Sequence, residues 1–582
     1  VAASSRLRTW ALDRGFALGA AALVTYIWLA PSHVVAADDA ELATLGAVGG
    51  RAHPSGFPIV VLWLRALSWL PVGSPAHRAA VATAIVAAIQ VVVLHAACRA
   101  WGARPLAATL ATAVVAAAPA VLRVHVESDV FAENSLIASL VLWLAAPSPP
   151  LRGVRRAFAL GLIGGLGLSG NLTCVLIAPV GLYGVACAIR EGSRRSVAGA
   201  LALAGLAFGL VPYAYLFVAP DAASWAPVDS FGDLLDTFLR RDYGSVSNLP
   251  TGDHVPLPTS LGGSVMLVGR SWLWLPALAG LAALGARAWR GDARWGWRGL
   301  AASWLLCGPV FATRIDIAPD GVGAVGAYLV SRLEILSVVV LAVPVAAAFD
   351  AGLARAPRFT DLARGTALAL AVFALLVATA LPTLDRVHSP AVEAGSRNLL
   401  ASLPQGAIVV VVSEDQCFGV RYLQLAEGVR PDVTLICWTI TMRGWYTARL
   451  AAQGVVVDVS TGGPAPVEEV ERWLATGRPV VVDSAQKPAL TLPSYPLGVL
   501  YRVLPRGSQA PSPRDALDLQ RETFASFDLD YPRPRADDGF AAVAHERYAL
   551  AWRHLGRALA AAGDTDDATE ALALAAQLAP EP

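Results

Sequence analysis

The sequence predicts a polytopic α-helical membrane protein that carries an extracytoplasmic α/β domain and a short helical end after its last span. Three observations predict it. Over 582 residues only 15% are charged, and the mean hydropathy is +0.54, too apolar for a soluble chain of this length. Long apolar runs recur as far as residue 382. Beyond about residue 385, short β-rich runs alternate with amphipathic stretches.

Taken in order, the first run follows Arg6, Arg8 and Arg14 and covers residues 15–35. Val35-Ala36-Ala37 has the look of a signal-peptidase site, but the run is long enough to span and many like it follow, so a retained helix is expected. Eleven spans are expected, at 16–36, 79–98, 104–121, 131–147, 156–170, 171–189, 196–219, 271–288, 298–314, 327–349 and 363–382. The run at 57–70 contains Arg65, ends at Pro71 and is short; it reads as an interfacial helix. Arginine placement supports that choice. With a cytoplasmic N-terminus, the cytoplasmic loops carry Arg99 and Arg104; Arg152, Arg155 and Arg156; Arg190, Arg194 and Arg195; Arg287, Arg290, Arg294 and Arg298; Arg355, Arg358 and Arg364, as the positive-inside rule requires. Counting 57–70 as a span would invert every later loop. The segment from Asp38, the loops at 122–130, 220–270 and 315–326, and everything after the last span then lie outside, with Trp272 and Trp274 at the outer interface.

The expected domains are a membrane domain over 1–384, an α/β domain over 385–510 and a helical segment over 511–582. In the second, runs at 407–412, 433–437, 455–459 and 479–483 suggest a mostly parallel sheet without a phosphate-binding glycine loop. In the third, residues 544–579 read as one tetratricopeptide-like repeat, with Trp552, Leu555, Gly556, Gly563, Ala568 and Pro580 in place. One repeat cannot bury its own face, so it is expected to pack on the α/β domain.

A net charge of +1 gives no field for nucleic acid, and no such partner is expected. Lys487 is the only lysine among many arginines, which points to a GC-rich bacterial source. Cys98, Cys174, Cys187 and Cys307 lie in apolar runs and read as small core residues. Cys417 and Cys437 can pair if their domain is extracytoplasmic. No metal-ligand spacing occurs, and neither a metal nor a cofactor is expected.

The residues suited to chemistry gather outside. Asp38, Asp39 and Glu41 follow the first span, and a carboxylate there can take a proton from an attacking hydroxyl. The bland alternative is a solvated loop capping a helix. Glu127, Asp129, Glu133 and Asn134 form a second acidic cluster on the same side, again open to a capping explanation. His53 sits in a Pro- and Gly-bounded turn that aims its ring; His33, His95 and His125 have weaker claims. Arg332 and Glu334 interrupt an apolar run near its outer end, where an arginine can meet a lipid phosphate or simply pair with Glu334. Arg240, Arg241, Asp242 and Tyr243 lie in the long outer loop.

These residues form an ordered series of motifs. Asp38-Asp39-Ala40-Glu41-Leu42 is followed by His53-Pro54-Ser55-Gly56-Phe57-Pro58, then by Asp129-Val130-Phe131-Ala132-Glu133-Asn134. Pro212-Tyr213-Ala214-Tyr215-Leu216, Arg241-Asp242-Tyr243-Gly244 and Arg332 come next. Asn398-Leu399-Leu400-Ala401-Ser402-Leu403-Pro404-Gln405-Gly406-Ala407-Ile408 and Gly428-Val429-Arg430-Pro431-Asp432-Val433 complete it. The series resembles the GT-C glycosyltransferase-like family that includes the animal protein O-mannosyltransferase acting on plexin-type domains, over roughly residues 16–450. Ala40 stands where that family has glycine, Asp129 where it has glutamate, and Gly170-Asn171 where it has an Asn-His type pair. The resemblance implies a GT-C-like fold and an inverting transferase that uses a polyprenyl-phosphate sugar. It implies catalytic roles for Asp38 as base, Glu41 and Asp129. Asp39, His53, Glu127, Asn134, Arg241, Tyr243 and Arg332 would bind donor or acceptor.

The expected function is therefore transfer of a sugar, mannose by resemblance, from the lipid donor to a hydroxyl of a protein or glycan on the periplasmic side of a bacterial inner membrane. A lipid-linked sugar flippase is the first rival; it predicts charges lining a path across the bilayer. A membrane-anchored scaffold is the second; it leaves Asp38–Pro58 without a role.

Overall fold

The computed structural model describes residues 14–191, 194–243, 255–290, 293–315, 317, 325–354, 362–458 and 462–582. Each of the eleven expected runs overlaps one or more helices. Five helices are long and apolar enough to cross a membrane among the described residues, or seven if two bent pairs each count as one. Large apolar side chains such as Val24, Trp28, Leu182, Leu203, Leu275, Leu278 and Leu375 face outward, the inverse of a soluble surface and suited to lipid. Helices suit such a setting because every backbone group is satisfied within the segment.

Proline sets several boundaries. It opens helices Pro58–Leu67, Pro75–Ala100, Pro105–Ala117 and Pro119–Val126, where its missing N–H costs nothing. Ser74 caps Pro75–Ala100 by accepting from the His77 N–H. Pro119 cannot continue the preceding helix, and the chain bends by 68° there. Pro58–Leu67 has 10 residues, about 15 Å of helix, half the hydrocarbon thickness. Helices Gly153–Gly170 and Arg195–Gly209 approach closely through Gly161, Gly165, Gly205 and Gly209; a Cβ at any of them would run into facing backbone, the small-residue packing that membrane helices use.

Two expected spans differ in shape. The run at 271–288 is helix Leu275–Trp289, and helix Leu257–Ser271 precedes it at a bend of 106°. Trp272 is fully buried and donates its indole N–H to the Val338 carbonyl, so it is a packing residue rather than a belt residue. Trp274 remains exposed. The run at 327–349 is three pieces, Gly326–Leu333, Ile335–Val340 and Ala342–Leu353, interrupted at Glu334 and Leu341.

Helix Leu362–Val387 leads through Ala391–Ser402 into a five-stranded sheet of order β2-β1-β3-β5-β4. Strands β1 (Ile408–Val411), β2 (Thr434–Cys437) and β3 (Val480–Val482) are parallel. Strands β4 (Ser494–Leu497) and β5 (Leu500–Val503) form an antiparallel hairpin that the sequence reading missed. Of the run at 455–459, the described residues 455–458 do not form a fourth parallel strand; residue 459 lies outside the described residues. The Val456 carbonyl and Asp458 N–H are taken by Trp473 and Glu469 of helix Val467–Leu474, which leaves no ladder to join. Cys417 and Cys437 form a disulfide. Helices Phe540–Ala562 and Thr565–Leu578 make a hairpin turned at Gly563 (φ 91°). Its apolar face is completed by Ala516 and Leu517 of Pro513–Ala525, and it docks on the sheet domain through Tyr501–His554 and Arg547–Asp415.

Candidate active site

Asp38 lies in the first turn of helix Ala37–Val48. Its Oδ2 is 2.6 Å from an Arg332 nitrogen, and the other terminal nitrogen of Arg332 is 3.8 Å from Asp129 Oδ2. Arg332 also stands over the rings of Tyr328 and Phe131, so aromatic faces and two carboxylates fix the guanidinium. The alternative, an Arg332–Glu334 pair, is not found: Glu334 is buried and makes no ion pair among the described residues. Asp38, Asp129 and Arg332 line one cavity of about 200 Å³, together with His53, Asn171, Thr173, Arg240, Glu414 and Phe418.

His53 is held by Glu41, which accepts from its backbone N–H at 2.9 Å and meets its Nδ1 at 2.5 Å. Phe57 and Trp225 flank the ring edge-on. Glu41 thus stands behind the cavity and orients His53. Burial works against charge on His53, but Glu41 and Asp38 outweigh it and raise its pKa. Burial likewise opposes ionisation of Asp38, yet Arg332 and His53 hold its carboxyl below the usual range. Asp129 goes the other way. Burial, aided by Asp38 and Glu127 against Arg332, pushes it up to about 7.

Three expected ligand-binding residues are spent on contacts within the protein, and a fourth lies outside the cavity. Asp39 accepts from the Val35 and Ser128 N–H groups at 2.8 and 3.1 Å, stapling the two outer segments. Glu127 is fully buried, bound by Arg123 (2.7 Å), His388 (3.2 Å) and the Tyr328 hydroxyl (3.0 Å). Burial opposes its charge, but Arg123 and His388 bring it down to about 2. It braces Tyr328 one turn from Arg332. Asn134 donates to Thr173 at 2.7 Å, and Thr173, not Asn134, reaches the cavity. Arg241 points away, exposed and paired with Asp236. Its neighbour Arg240 lines the cavity instead, from a left-handed backbone turn (φ 55°). The Tyr243 side chain lies outside the described residues.

Asn171, Thr173, Glu414 and Phe418 were not read as site residues, and Arg240 only as part of the outer loop. Arg240 was visible as one of two adjacent arginines, with nothing to choose between them. Glu414 follows β1 directly, and the carboxyl ends of parallel strands are where such sheets bind ligands; that was its one signal. Among the described residues no three His, Cys, Asp or Glu side chains converge closely enough to hold a metal ion.

Residues 38–191 match the family model described as the Protein O-mannosyl-transferase TMEM260 N-terminal domain. Over that stretch the chain is similar to that family. The matched stretch begins at Asp38 and includes Glu41, His53, Asp129 and Thr173. The mouse Protein O-mannosyl-transferase TMEM260 is 25% identical over 470 residues, which cover 76% of this chain and 65% of the mouse protein; the chain therefore spans somewhat under two thirds of that relative's length. Two solved structures share the architecture. ArnT from Cupriavidus metallidurans bound to undecaprenyl phosphate superposes with TM-score 0.54 at 15% identity, over 85% of this chain and 98% of ArnT. The apo form gives 0.53 at 14% identity, over 86% and 98%. This chain thus has a GT-C-type fold like that of these structures, with several helices able to cross a membrane. Its site sets an ionised carboxylate against a guanidinium in an enclosed space, an arrangement able to accept a proton and bind an anion side by side.

Proposed function

We propose that this chain is an inverting glycosyltransferase that moves a sugar from a polyprenyl-phosphate donor to a hydroxyl of a protein or glycan outside a bacterial inner membrane. The observation that carries the reading is the Asp38–Arg332 contact of 2.6 Å inside a shared cavity. The acceptor oxygen attacks the sugar's anomeric carbon and its proton passes to Asp38. The new C–O bond forms as the bond to the phosphate oxygen breaks, and the electron pair leaves with the polyprenyl phosphate. Arg332 and Arg240 face that developing charge. Before the donor arrives Arg332 holds Asp38 ionised. The incoming phosphate competes for the guanidinium, and Asp38 becomes the stronger base as its counter-ion is shared.

Mannose is supported by the printed name of the mouse relative, and the lipid by the undecaprenyl phosphate of the ArnT structure. Asp38, His53, Asp129, Arg240, Arg332 and Glu414 line one cavity rather than a path along the helices, which supports transfer over lipid flipping. Asp38 is the base, with Asp129 and His53 around the reacting groups and Glu41 positioning His53. The test is transfer of label from radiolabelled polyprenyl-phosphate mannose to a periplasmic extract by the purified protein, with Asp38→Asn beside it. Label reaching protein or glycan with wild type alone supports the reading. Equal labelling by both removes Asp38 as base, and bound donor without transfer removes the transferase reading.

A further inference from the structure

Glu414 is the one charged cavity residue to which the proposed chemistry gives no task. It comes from the α/β domain, as the first residue of helix Glu414–Leu425. Its side chain is open to the cavity and makes no hydrogen bond or ion pair among the described residues. Everything around it is fixed. Asp415 is gripped by Arg547 at 2.5 and 2.9 Å, and Arg547 also donates to Ser413 at 3.0 Å. The Cys417–Cys437 disulfide ties the helix to the end of β2. Phe418, one turn on, is buried against the same cavity, and the helix packs along Ala37–Val48, which carries Asp38. A carboxylate held this firmly at a cavity wall, with its own bonding capacity unused, is placed to bind something that enters. It cannot be the donor phosphate, which a carboxylate repels and which Arg332 and Arg240 suit.

We infer that Glu414 is an acceptor-binding residue: it accepts a hydrogen bond from an O–H or N–H of the acceptor and disfavours anionic acceptors. This rests on the transferase reading above. Through Glu414 and Phe418 the α/β domain then completes the acceptor side of the site, while the membrane helices supply the base and the phosphate cations.

The test uses the full chain in detergent with radiolabelled polyprenyl-phosphate mannose. The acceptor is a periplasmic extract divided by anion exchange into acidic and non-acidic pools. Glu414→Gln keeps the shape and loses the charge; Glu414→Ala removes the group. Both should raise the extract concentration giving half-maximal transfer about tenfold or more, in the range of a lost charged hydrogen bond, with half-saturation by donor within about twofold of wild type. Wild type should label the non-acidic pool in preference, and Glu414→Gln should narrow that preference. An unchanged acceptor requirement in both variants overturns the inference, as does an equal rise in the donor requirement. Should Glu414→Ala fail to fold, Glu414→Gln with an intact disulfide decides. Donor binding without transfer by wild type overturns the transferase reading itself, and this inference with it.

Discussion

Replacing Asp38 by asparagine keeps the side chain's shape and removes its ability to take a proton. The magnitude follows from where the residue sits. Asp38 is about a quarter exposed at its side chain and Arg332 about an eighth, so their pair is partly screened, and Asp129 at 3.8 Å remains to neutralise the guanidinium. Loss of the pair should cost roughly 1–3 kcal/mol of stability, below the figure for breaking a fully buried pair. The effect on chemistry should be larger. Removing a positioned general base costs about 10²–10⁴ in rate, or roughly 3–5 kcal/mol of barrier. Donor binding should move the other way. With its nearest counter-ion gone, Arg332 is free for phosphate, so affinity for the lipid donor should hold or tighten. The assay therefore needs two readouts from the same detergent preparation: initial transfer rate, and equilibrium binding of radiolabelled polyprenyl-phosphate mannose. A rate within about tenfold of wild type would refute the assignment of Asp38 as base. A collapse of rate together with donor binding would refute the division of labour between Asp38 and Arg332.

Three further outcomes are expected. The proton on Asp129 favours the folded state, because its pKa rises from an ordinary value of 3.8 to about 7. That contribution is complete below the ordinary value and is lost as pH rises through about 7, a difference of up to about 4 kcal/mol. Asp129→Asn should therefore raise the thermal unfolding midpoint relative to wild type at pH 8 and leave it nearly unchanged near pH 4; equal effects at both would contradict the burial argument. Arg240→Ala should weaken donor binding about tenfold, while Arg241→Ala, whose side chain is exposed and bound to Asp236, should change it less than about twofold; the reverse order would return Arg241 to the site. Replacing Cys417 and Cys437 by serine opens a closure of 20 residues and should cost about 3 kcal/mol, read as a lower midpoint that added reductant no longer shifts.

The membrane helices were legible because lipid demands long apolar runs, and arginine placement in the loops then ordered them. Their breaks were less so. Pro119 announces its bend; Glu334 stands out as a charge in its run, but a charge alone does not show that the helix divides there. In the sheet domain, β1, β2 and β3 read clearly as valine- and isoleucine-rich runs. Residues 455–458 have the same composition and are claimed instead by Trp473 and Glu469, partners that only the fold supplies. The β4–β5 hairpin went unread because Pro496 argues against a strand, although an edge position tolerates it.

At the site, motif order located Asp38, His53, Asp129 and Arg332, which share one cavity. It did not separate residues that face the cavity from those that hold it. Asp39 and Asp38 are adjacent, yet on a helix successive side chains diverge by about 100°. One therefore meets Arg332, while the other spends both carboxylate oxygens on backbone N–H groups. Arg240 and Arg241 are separated differently, by the left-handed turn at Arg240 (φ 55°) that precedes the short helix from Arg241. Nor can a motif show which distant segments meet. Glu414 reaches the cavity because its helix packs along Ala37–Val48 and is tied within its own domain by Arg547 and the disulfide, so the proposed acceptor side depends on contacts formed at the far end of the chain. If that dependence is real, Arg547→Ala should weaken acceptor use in the same sense as Glu414→Gln while leaving donor binding intact. A loss of both would instead mean that Arg547 stabilises the whole domain.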